Sequence, residues 1–268
     1  MSERVVLVTG ATDGLGKAVA TELARAGDTV LIHGRSEERL DATAIEIRDL
    51  TGNDRLRSYR ADFASLADVR SMAEQILDGE DRLDVVVNNA GIGTTLPGDG
   101  ERRLVSEDGF ELRFAVNYLA HFLFTGLLQE LVVASAPARI VNVSSAGQMP
   151  IDFDDVMLEH GYSGVRAYCQ SKLAQIMLTF DLADELAGRN VTANALHPAT
   201  YMPTKMVIAA GATPVSSLEE GTRATMRLVL APELEGVTGR YWNGQRESDA
   251  DPQAYDAEAR ARLRRLSV

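Results

Sequence analysis

Short runs of β-branched residues alternate along the chain with longer segments in which apolar side chains recur every three or four residues. The short runs predict strands and the longer segments predict amphipathic helices. Predicted strands cover 5–9, 29–33, 56–61, 83–87, 139–143 and 191–196, and predicted helices cover 14–26, 37–50, 66–77, 109–133 and a segment from Tyr168 to Leu186. Because the strands are apolar on both faces, they predict a mostly parallel sheet with helices packed on each side.

Three irregular stretches interrupt this alternation, and each follows a predicted strand. They cover 92–108, 146–164 and 199–217. Long irregular segments in a compact domain are usually functional, and open parallel sheets bind ligands beyond the carboxyl ends of their strands. The sequence shows no repeat, low-complexity tract or linker, so we expect residues 1–268 to form a single doubly wound α/β domain with about seven strands.

Composition and charge exclude several classes of function. The chain has 27 basic and 39 acidic residues and a formal net charge of −12, which disfavours nucleic acid and anionic membranes as partners. The single cysteine, Cys169, cannot form an internal disulfide, and the four scattered histidines offer no metal-ligand spacing, so no metal site is expected. We find no signal peptide and no apolar run approaching the roughly 18 residues of a membrane span. These features predict a cytoplasmic protein with no membrane partner.

The first predicted strand ends in a glycine-rich turn that leads directly into a helix. Its sequence is Thr9-Gly10-Ala11-Thr12-Asp13-Gly14-Leu15-Gly16. Gly10 permits the tight turn, Gly14 lets backbone amides approach a pyrophosphate, and Gly16 allows the helix to pack close to the strand. The spacing differs from the usual Gly-x-Gly-x-x-Gly. In its strand-turn-helix context it still predicts nucleotide binding on a Rossmann-type domain, although such a turn can also be only a turn.

The end of the second predicted strand bears on which dinucleotide is bound. The residues there are His33-Gly34-Arg35-Ser36. An acidic residue at this point would hold the ribose of NAD, whereas Arg35 can receive the 2′-phosphate of NADP and Ser36 adds a hydroxyl. The pattern favours NADP(H), with NAD(H) as the alternative. Asp13, which could lie near the same ribose, argues against this preference, and Arg35 could instead lie in solvent.

Tyr168 and Lys172 stand four residues apart on one predicted helix, so both side chains leave the same face. A phenol has a pKa of about 10, and a nearby ammonium should lower that pKa toward neutrality and make the phenol a usable proton donor. The pair alone is weak evidence, because a Tyr and a Lys at this spacing also occur on solvated helices.

Several motifs together resemble the short-chain dehydrogenase/reductase family over nearly the whole chain, and in particular its retinol-dehydrogenase-like branch. They follow the family's order: the glycine turn, Ala61-Asp62-Phe63, Asn88-Asn89-Ala90-Gly91, Val116-Asn117, Arg139-Ile140-Val141-Asn142-Val143-Ser144-Ser145 and Tyr168-x-x-x-Lys172.

The resemblance implies a role for each matched residue. Ser145, with Ser144 as the fallback, would bind the substrate oxygen, and Tyr168 would donate its proton. Lys172 would lower the tyrosine pKa and hold the nicotinamide ribose, and Asn117 would hold a water in a proton relay. The implied cofactor contacts are Gly10, Thr12, Asp13, Gly14, Leu15, Gly16, Arg35, Ser36, Asp62, Phe63, Asn89, Ala90, Gly91, Tyr168, Lys172, Pro198, Thr200 and Tyr201. Members of this family commonly pair their two long helices across a subunit interface, which implies a homodimer or homotetramer.

The chain departs from the family pattern at two places. Ser145 and Tyr168 are 23 residues apart, which is wider than in many members, and Pro198-Ala199 replaces the usual Pro-Gly. The segment after Ala199 contains Met202, Met206, Val207 and Ile208, which predict a lid over a hydrophobic substrate. The alternative is that this segment packs on the sheet as a short helix.

These observations predict an oxidoreductase that transfers a hydride between NADP(H) and a small-molecule substrate, a hydrophobic ketone, aldehyde or alcohol. One alternative is a sugar-nucleotide epimerase or dehydratase, but those relatives carry a longer C-terminal substrate domain and only 72 residues follow Leu196. The other is a non-catalytic NADP(H)-binding regulatory protein, whose expected mark is loss of the Ser, Tyr or Lys. The substrate's identity does not follow from the sequence.

Overall fold

The computed structural model describes residues 4–95 and 102–268, which form one eight-stranded sheet. The strands are β1 (Val5–Val8), β2 (Thr29–Gly34), β3 (Leu56–Arg60), β4 (Val85–Asn88), β5 (Ala138–Val143), β6 (Val191–His197), β7 (Arg240–Asn243) and β8 (Arg246–Ser248). Their spatial order is β3-β2-β1-β4-β5-β6-β7-β8. The first seven strands are parallel and β8 pairs antiparallel with β7 at the edge.

Helices connect the strands and cover both faces of the sheet. They are α1 (Gly14–Arg25), α2 (Glu37–Thr51), α3 (Leu66–Gly79), α4 (Leu112–Ala134), α5 (Gly164–Glu185), α6 (Lys205–Ala209), α7 (Leu218–Leu230) and α8 (Ala257–Ser267). This confirms the predicted α/β class with a doubly wound, mostly parallel sheet. The order of strands reverses between β1 and β4, and a crevice at such a reversal is where this architecture binds ligands.

Alternate residues of β1 show why the strands are apolar on both faces. Leu7 packs in the core formed with α3, α4 and α5, whereas Val6 and Val8 pack in the core formed with α1, α2 and α7. Each strand side chain therefore enters one of two separate hydrophobic layers, since successive residues of a strand point to opposite faces.

Helix α4 is not uniform. A π-helical segment, Ala115–Leu119, separates a short α-helical turn, Leu112–Phe114, from the longer α-helix Ala120–Ala134. The helix begins three residues later than predicted, because Gly109 has a φ of +85° and the Glu111 side chain caps the helix by accepting from Phe114 N at 2.7 Å. Single-turn π segments are rare and often mark functional sites.

The length and hydropathy of α4 contradict the expectation that the chain has no apolar run as long as a membrane span. Over its 23 residues it is long and apolar enough to cross a membrane by length and composition, with a mean hydropathy of 1.3 in its most apolar window. The sequence-based expectation that no apolar run approaches this length was therefore wrong for α4. Of that window, 56% is buried against the rest of the fold, as in the core helix of a globular protein.

Candidate active site

The glycine turn packs directly against the end of β4. Gly10 has a φ of +67°, and a Cβ added to it would lie 2.8 Å from Ala90 Cα. A Cβ on Gly16 would lie 2.3 Å from Gly10 O. Neither position can accept a larger residue without moving backbone, so the close packing expected of Gly16 against the strand is present.

A single hydroxyl joins the turn to the loop after β4. Thr9 Oγ1 accepts hydrogen bonds from the backbone amides of Asn89 and Ala90, both at 2.9 Å, and Asn89 Nδ2 donates back to Thr9 O at 2.8 Å. From the other side, Gly10 N donates to His33 Nδ1 at 3.1 Å. Burial lowers the pKa of His33 to about 4, so this imidazole is neutral and able to accept.

Asp13 caps α1, with its carboxylate accepting from Gly14 N at 2.8 Å. The same carboxylate lies 2.7 Å from Lys205 Nζ and 3.4 Å from Arg39 Nη2. Burial opposes ionisation of Asp13, but the hydrogen bonds from Lys205 and Gly14 hold its pKa below the usual value. Lys205 and Arg39, which the sequence did not indicate, therefore balance the negative charge of Asp13 that argued against a phosphate here.

At the end of β2, Arg35 is exposed and Ser36 caps α2 by accepting from Arg39 N at 3.3 Å. Gly34 packs closely against the loop after β1, because a Cβ at this position would lie 2.6 Å from Thr12 Cγ2. A larger residue at position 34, a carboxylate included, would therefore require the Thr12 side chain to move.

Asp62 and Phe63 follow β3 and differ in their surroundings. Asp62 is half-buried, and its carboxylate accepts from Ala64 N at 3.0 Å. Phe63 is buried in the core, where its ring stacks on His33 with centroids 4.3 Å apart. The Phe63 side chain therefore supports the glycine turn through His33, and only the backbone of Phe63 can face a ligand.

Ser145 and Tyr168 meet at the carboxyl end of β5. Ser145 Oγ accepts from Gly147 N at 3.0 Å, and the Ser145 hydroxyl and the Tyr168 ring both lie beside Gly147. Ser144, the fallback, points elsewhere, because its hydroxyl donates to Lys172 O at 2.8 Å. A Cβ on Gly147 would lie 3.4 Å from Ser145 Oγ and 3.7 Å from Tyr168 Cε1, so the small residue keeps this corner open.

Lys172 lies one helical turn beyond Tyr168, with Nζ 6.0 Å from the tyrosine ring centroid. Nζ donates to Val143 O at 2.9 Å and to Gln175 Oε1 at 3.1 Å. Burial lowers the pKa of Lys172 to about 7.

The expected lowering of the tyrosine pKa by this lysine is not found in the protein without ligand. Burial raises the pKa of Tyr168, and the opposing influence is the hydrogen bond with Ser145. The physical reason is that the Lys172 amine points toward carbonyl oxygens on its other side, and a buried amine with a pKa near 7 carries a full charge only part of the time.

Asn117 lies in the π segment of α4, and its side chain closes the loop after β4. Its Oδ1 accepts from Ile92 N at 2.8 Å, and its Nδ2 donates to Ile92 O at 3.1 Å and to Ser171 Oγ at 2.9 Å. A Cβ on Gly91 would lie 3.1 Å from Asn117 Oδ1 and 3.6 Å from Lys172 Nζ. Asn117 and Lys172 thus converge on the same bare backbone, and the water-holding role of Asn117 stays a prediction.

The segment after β6 lies over the other side of the crevice. Pro198 is buried, Thr200 Oγ1 lies 3.0 Å from His197 Nε2, and Tyr201 is exposed with a φ of +47°. Further along, Met206 lies against Gly93, since a Cβ there would be 2.5 Å from Met206 Cγ. Whether Pro198, Thr200 and Tyr201 contact a cofactor stays a prediction.

The structure therefore brings the predicted turn, serine, tyrosine, lysine and asparagine to one edge of the sheet. The family model described as short chain dehydrogenase matches residues 4–214. The chain belongs to the short-chain dehydrogenase family. The family assignment rests on most of the chain and not on a single motif.

Similarity to individual proteins indicates which branch of the family this chain resembles. Retinol dehydrogenase 13 of Mus musculus is 39% identical over 277 residues, covering 97% of this chain and 81% of that protein. Retinol dehydrogenase 14 of Homo sapiens is 37% identical, covering 98% of this chain and 84% of its own length. Among solved structures, a short chain dehydrogenase from Shigella flexneri complexed with NADP superposes with a TM-score of 0.71 at 26% identity, covering 92% of this chain and 98% of that one. The retinol-dehydrogenase-like resemblance is confirmed.

The low pKa of Lys172 predicts a pH-dependent stability. Between about 7 and 10.5 the unfolded chain binds a proton that the folded chain releases, so this lysine's contribution to the free energy of unfolding rises with pH across that window. Lys172→Met removes the contribution. We expect the melting temperature of the variant, relative to wild type, to fall by roughly 5 °C between pH 7 and pH 10 in the protein without ligand.

The control for this measurement is Lys17→Met, at a surface ion pair with Glu46. Its melting temperature relative to wild type should not depend on pH in the same range. If the Lys172→Met difference were also constant with pH, the lysine would not be held as a buried, weakened base.

Proposed function

We propose that the protein transfers a hydride between NADP(H) and a hydrophobic carbonyl or alcohol substrate. The observation that carries the proposal is that the Ser145 hydroxyl and the Tyr168 phenol lie next to each other at the carboxyl end of β5, with Lys172 one helical turn away. A hydroxyl pair of this kind can both hold a carbonyl oxygen and protonate it, which is what reduction of a carbonyl requires.

The residues around the crevice fit a dinucleotide. The amino end of α1 presents backbone amides beside the glycine turn, where a pyrophosphate binds favourably. Gly91 leaves bare backbone beside Asn117 and Lys172, which gives ribose hydroxyls access to the lysine. Arg35 lies exposed at the end of β2, within reach of solvent and of a ligand phosphate.

In the proposed reaction the bound dinucleotide supplies or accepts the hydride. Ser145 Oγ donates a hydrogen bond to the substrate oxygen, and the Tyr168 hydroxyl donates the proton to that oxygen as negative charge develops on it. Lys172 holds a proton close to Tyr168 and favours its ionised form once the phenol has given its proton up. In the oxidative direction the same groups act in reverse.

The preference for NADP(H) over NAD(H) rests on the cations near the end of β2. The guanidinium of Arg35 has paired N–H donors that suit a phosphate. A second guanidinium, that of Arg39, lies at the glycine turn, where it donates to Thr12 O at 3.1 Å. A related structure was solved with NADP. The two cations paired with Asp13 remove the main electrostatic objection to a 2′-phosphate.

The hydrophobic substrate class rests on the segment after β6 and on the relatives. Met206 and Ile208 are exposed on α6, which has no buried residue, so the predicted short helix forms without packing on the sheet. Met202 is an exception to the predicted lid, because it is buried in the core beside α7. The relatives are named for retinol, a long apolar alcohol.

The two rival functions have less support. After β6 the strands β7 and β8 extend the same sheet, and α6, α7 and α8 lie in the same part of the chain. These residues therefore do not supply a separate domain for a sugar nucleotide. The regulatory alternative expects loss of a key group, yet Ser145, Tyr168, Lys172 and Asn117 are all present and adjacent.

Assembly and location stay predictions. A homodimer or homotetramer formed through α4 and α5 would use a face that α8 partly occupies, because Ser267 bonds to Tyr118 and Arg260 pairs with Asp181 at 2.8 Å. Light scattering decides this, since a mass of 29.0 kDa in solution would contradict an oligomer. A cytoplasmic location without nucleic-acid or membrane partners is likewise part of the proposal.

Replacing Tyr168 with Phe should lower turnover by roughly 10² to 10⁴-fold, the usual range for a lost general acid. Binding of NADPH and the melting temperature should stay close to those of wild type, because only one hydroxyl is removed. Steady-state kinetics with an aldehyde substrate measure the loss. Retained turnover would exclude Tyr168 as the proton donor.

Cofactor choice tests the role of Arg35. Arg35→Ala should weaken NADPH relative to NADH by about 1.5 to 3 kcal/mol, the value of a charged hydrogen bond. A carboxylate at position 34 is unsuitable as a test, because Gly34 lies against Thr12. The comparison is of kcat/KM with the two cofactors, and Arg48→Ala on the far end of α2 is the matched control. A wild type that prefers NADH would refute the assignment.

Substrate class is tested at Met206, whose side chain lies against Gly93 at the mouth of the crevice. Met206→Ser should raise the KM for a long apolar aldehyde by roughly 10-fold, the value of about 1.4 kcal/mol of lost apolar contact, and leave a small polar aldehyde nearly unaffected. Ile45→Ser, an exposed apolar residue on α2, is the control. Equal effects on both aldehydes would count against an apolar substrate site here.

A further inference from the structure

Lys172 is held in the core by uncharged partners. Its amine is buried and donates to a backbone carbonyl of β5, Val143 O, and to the side chain of Gln175 on its own helix. Among residues 4–95 and 102–268, Gln175 supplies the only side-chain acceptor that hydrogen-bonds to Nζ. A buried ammonium without such acceptors would be strongly disfavoured, so Gln175 contributes directly to keeping the proton on Lys172.

The chemistry of the lysine fixes the orientation of the Gln175 amide. An ammonium has only donors, so Gln175 must turn its Oε1 toward Nζ. Its Nε2 then faces His121 Nδ1 at 3.3 Å and Asn88 O at 3.5 Å. All three partners of this amide lie in the interior of the fold.

His121 on α4 completes this arrangement as a neutral group. Burial, together with the nearby charge of Lys172, lowers the pKa of His121 to about 3. Its Nδ1 can accept from Gln175 Nε2, or it can donate to Asn117 O at 3.0 Å, and its Nε2 lies 3.5 Å from Thr9 Oγ1. The imidazole therefore stands between the glycine turn, the asparagine of α4 and the amide that holds Lys172.

The other titratable groups around the lysine are few. Tyr168 faces it from α5, His121 faces it from α4, and the loop after β5 contributes the uncharged Ser144 and Ser145. Burial is the cause of the low Lys172 pKa, and no carboxylate among the described residues opposes it. The balance is thus set by hydrogen-bond acceptors and not by an ion pair.

We propose that Gln175 is a positioning residue that sets where the Lys172 amine sits and how readily it keeps its proton. The proposal rests on the proposed function, in which Lys172 acts on Tyr168. It adds a residue outside the matched motifs, because Gln175 reaches the reacting atoms only through the lysine.

Two near-isosteric variants should move the lysine in opposite directions. Gln175→Met keeps the side-chain length and removes the acceptor, so Lys172 loses its proton more easily. Gln175→Glu replaces the amide with a carboxylate beside the ammonium, so Lys172 keeps its proton more firmly. For carbonyl reduction, the alkaline limb of kcat/KM should move down by about one pH unit in the first variant and up by about one unit in the second.

A second measurement needs neither cofactor nor substrate. In the protein without ligand, the pH at which the melting temperature begins to rise through loss of the Lys172 proton should shift down for Gln175→Met and up for Gln175→Glu. If Gln175→Glu fails to fold, the methionine variant alone still tests the direction of the shift. If wild type reduces no carbonyl at all, the proposed function fails and this measurement still decides the role of Gln175.

The matched control is Thr179→Val, one turn further along α5. Thr179 is buried in the same polar interior, where it accepts from Asn142 Nδ2 at 2.8 Å and donates to Gln175 O at 2.9 Å, but it does not touch Lys172. This variant should lose stability and keep the wild-type pH profile. Gln175 variants whose profiles also stay in place, or move in the same direction as each other, would overturn the proposal and leave Gln175 a structural residue only.

Discussion

The burial of one primary amine constrains much of the interior of this protein. Lys172 is buried between α5 and the end of β5, where little water solvates its amine, so acceptors must come largely from the fold itself. A backbone carbonyl of β5 provides one and Gln175 provides another. Gln175 in turn needs partners for its own amide hydrogens, and these lie on α4 and at the end of β4. Polar groups are therefore required in a region that hydrophobic packing alone would fill with leucine.

This polar interior also links the two halves of the site. The hydroxyl of Thr9 holds the loop after β4 against the glycine turn, and His121 lies between Thr9 and the amide that holds Lys172. The amine that acts on the reacting centre and the turn suited to phosphates thus share one connected set of buried hydrogen bonds. Each paired group in such a network helps to fix the position of the others.

The six strands predicted from the sequence agree with the structure to within about two residues at each end. Most of them are buried parallel strands rich in apolar residues, whereas β3, Leu-Arg-Ser-Tyr-Arg, is largely polar. The strands β7 and β8 were missed, since each is short and carries charged residues, such as Arg240 on β7 and Glu247 on β8. The motif residues were found because their spacing along the chain is informative. Contacts such as Lys205 with Asp13 were not, because residues so far apart in the chain meet only in the folded protein. For His121 and Gln175 a signal existed: each is a polar residue inside an otherwise apolar stretch of helix.

The close approach of Gly34 to Thr12 joins two loops that belong to different βα units. A side chain at residue 34 requires the methyl group of Thr12 to move, either by rotation or by replacement with a smaller residue. An acidic substitution at the ribose end of the crevice therefore also changes how the loop after β1 packs. The exchange of one dinucleotide for the other in this chain thus depends on the packing between two loops as well as on charge.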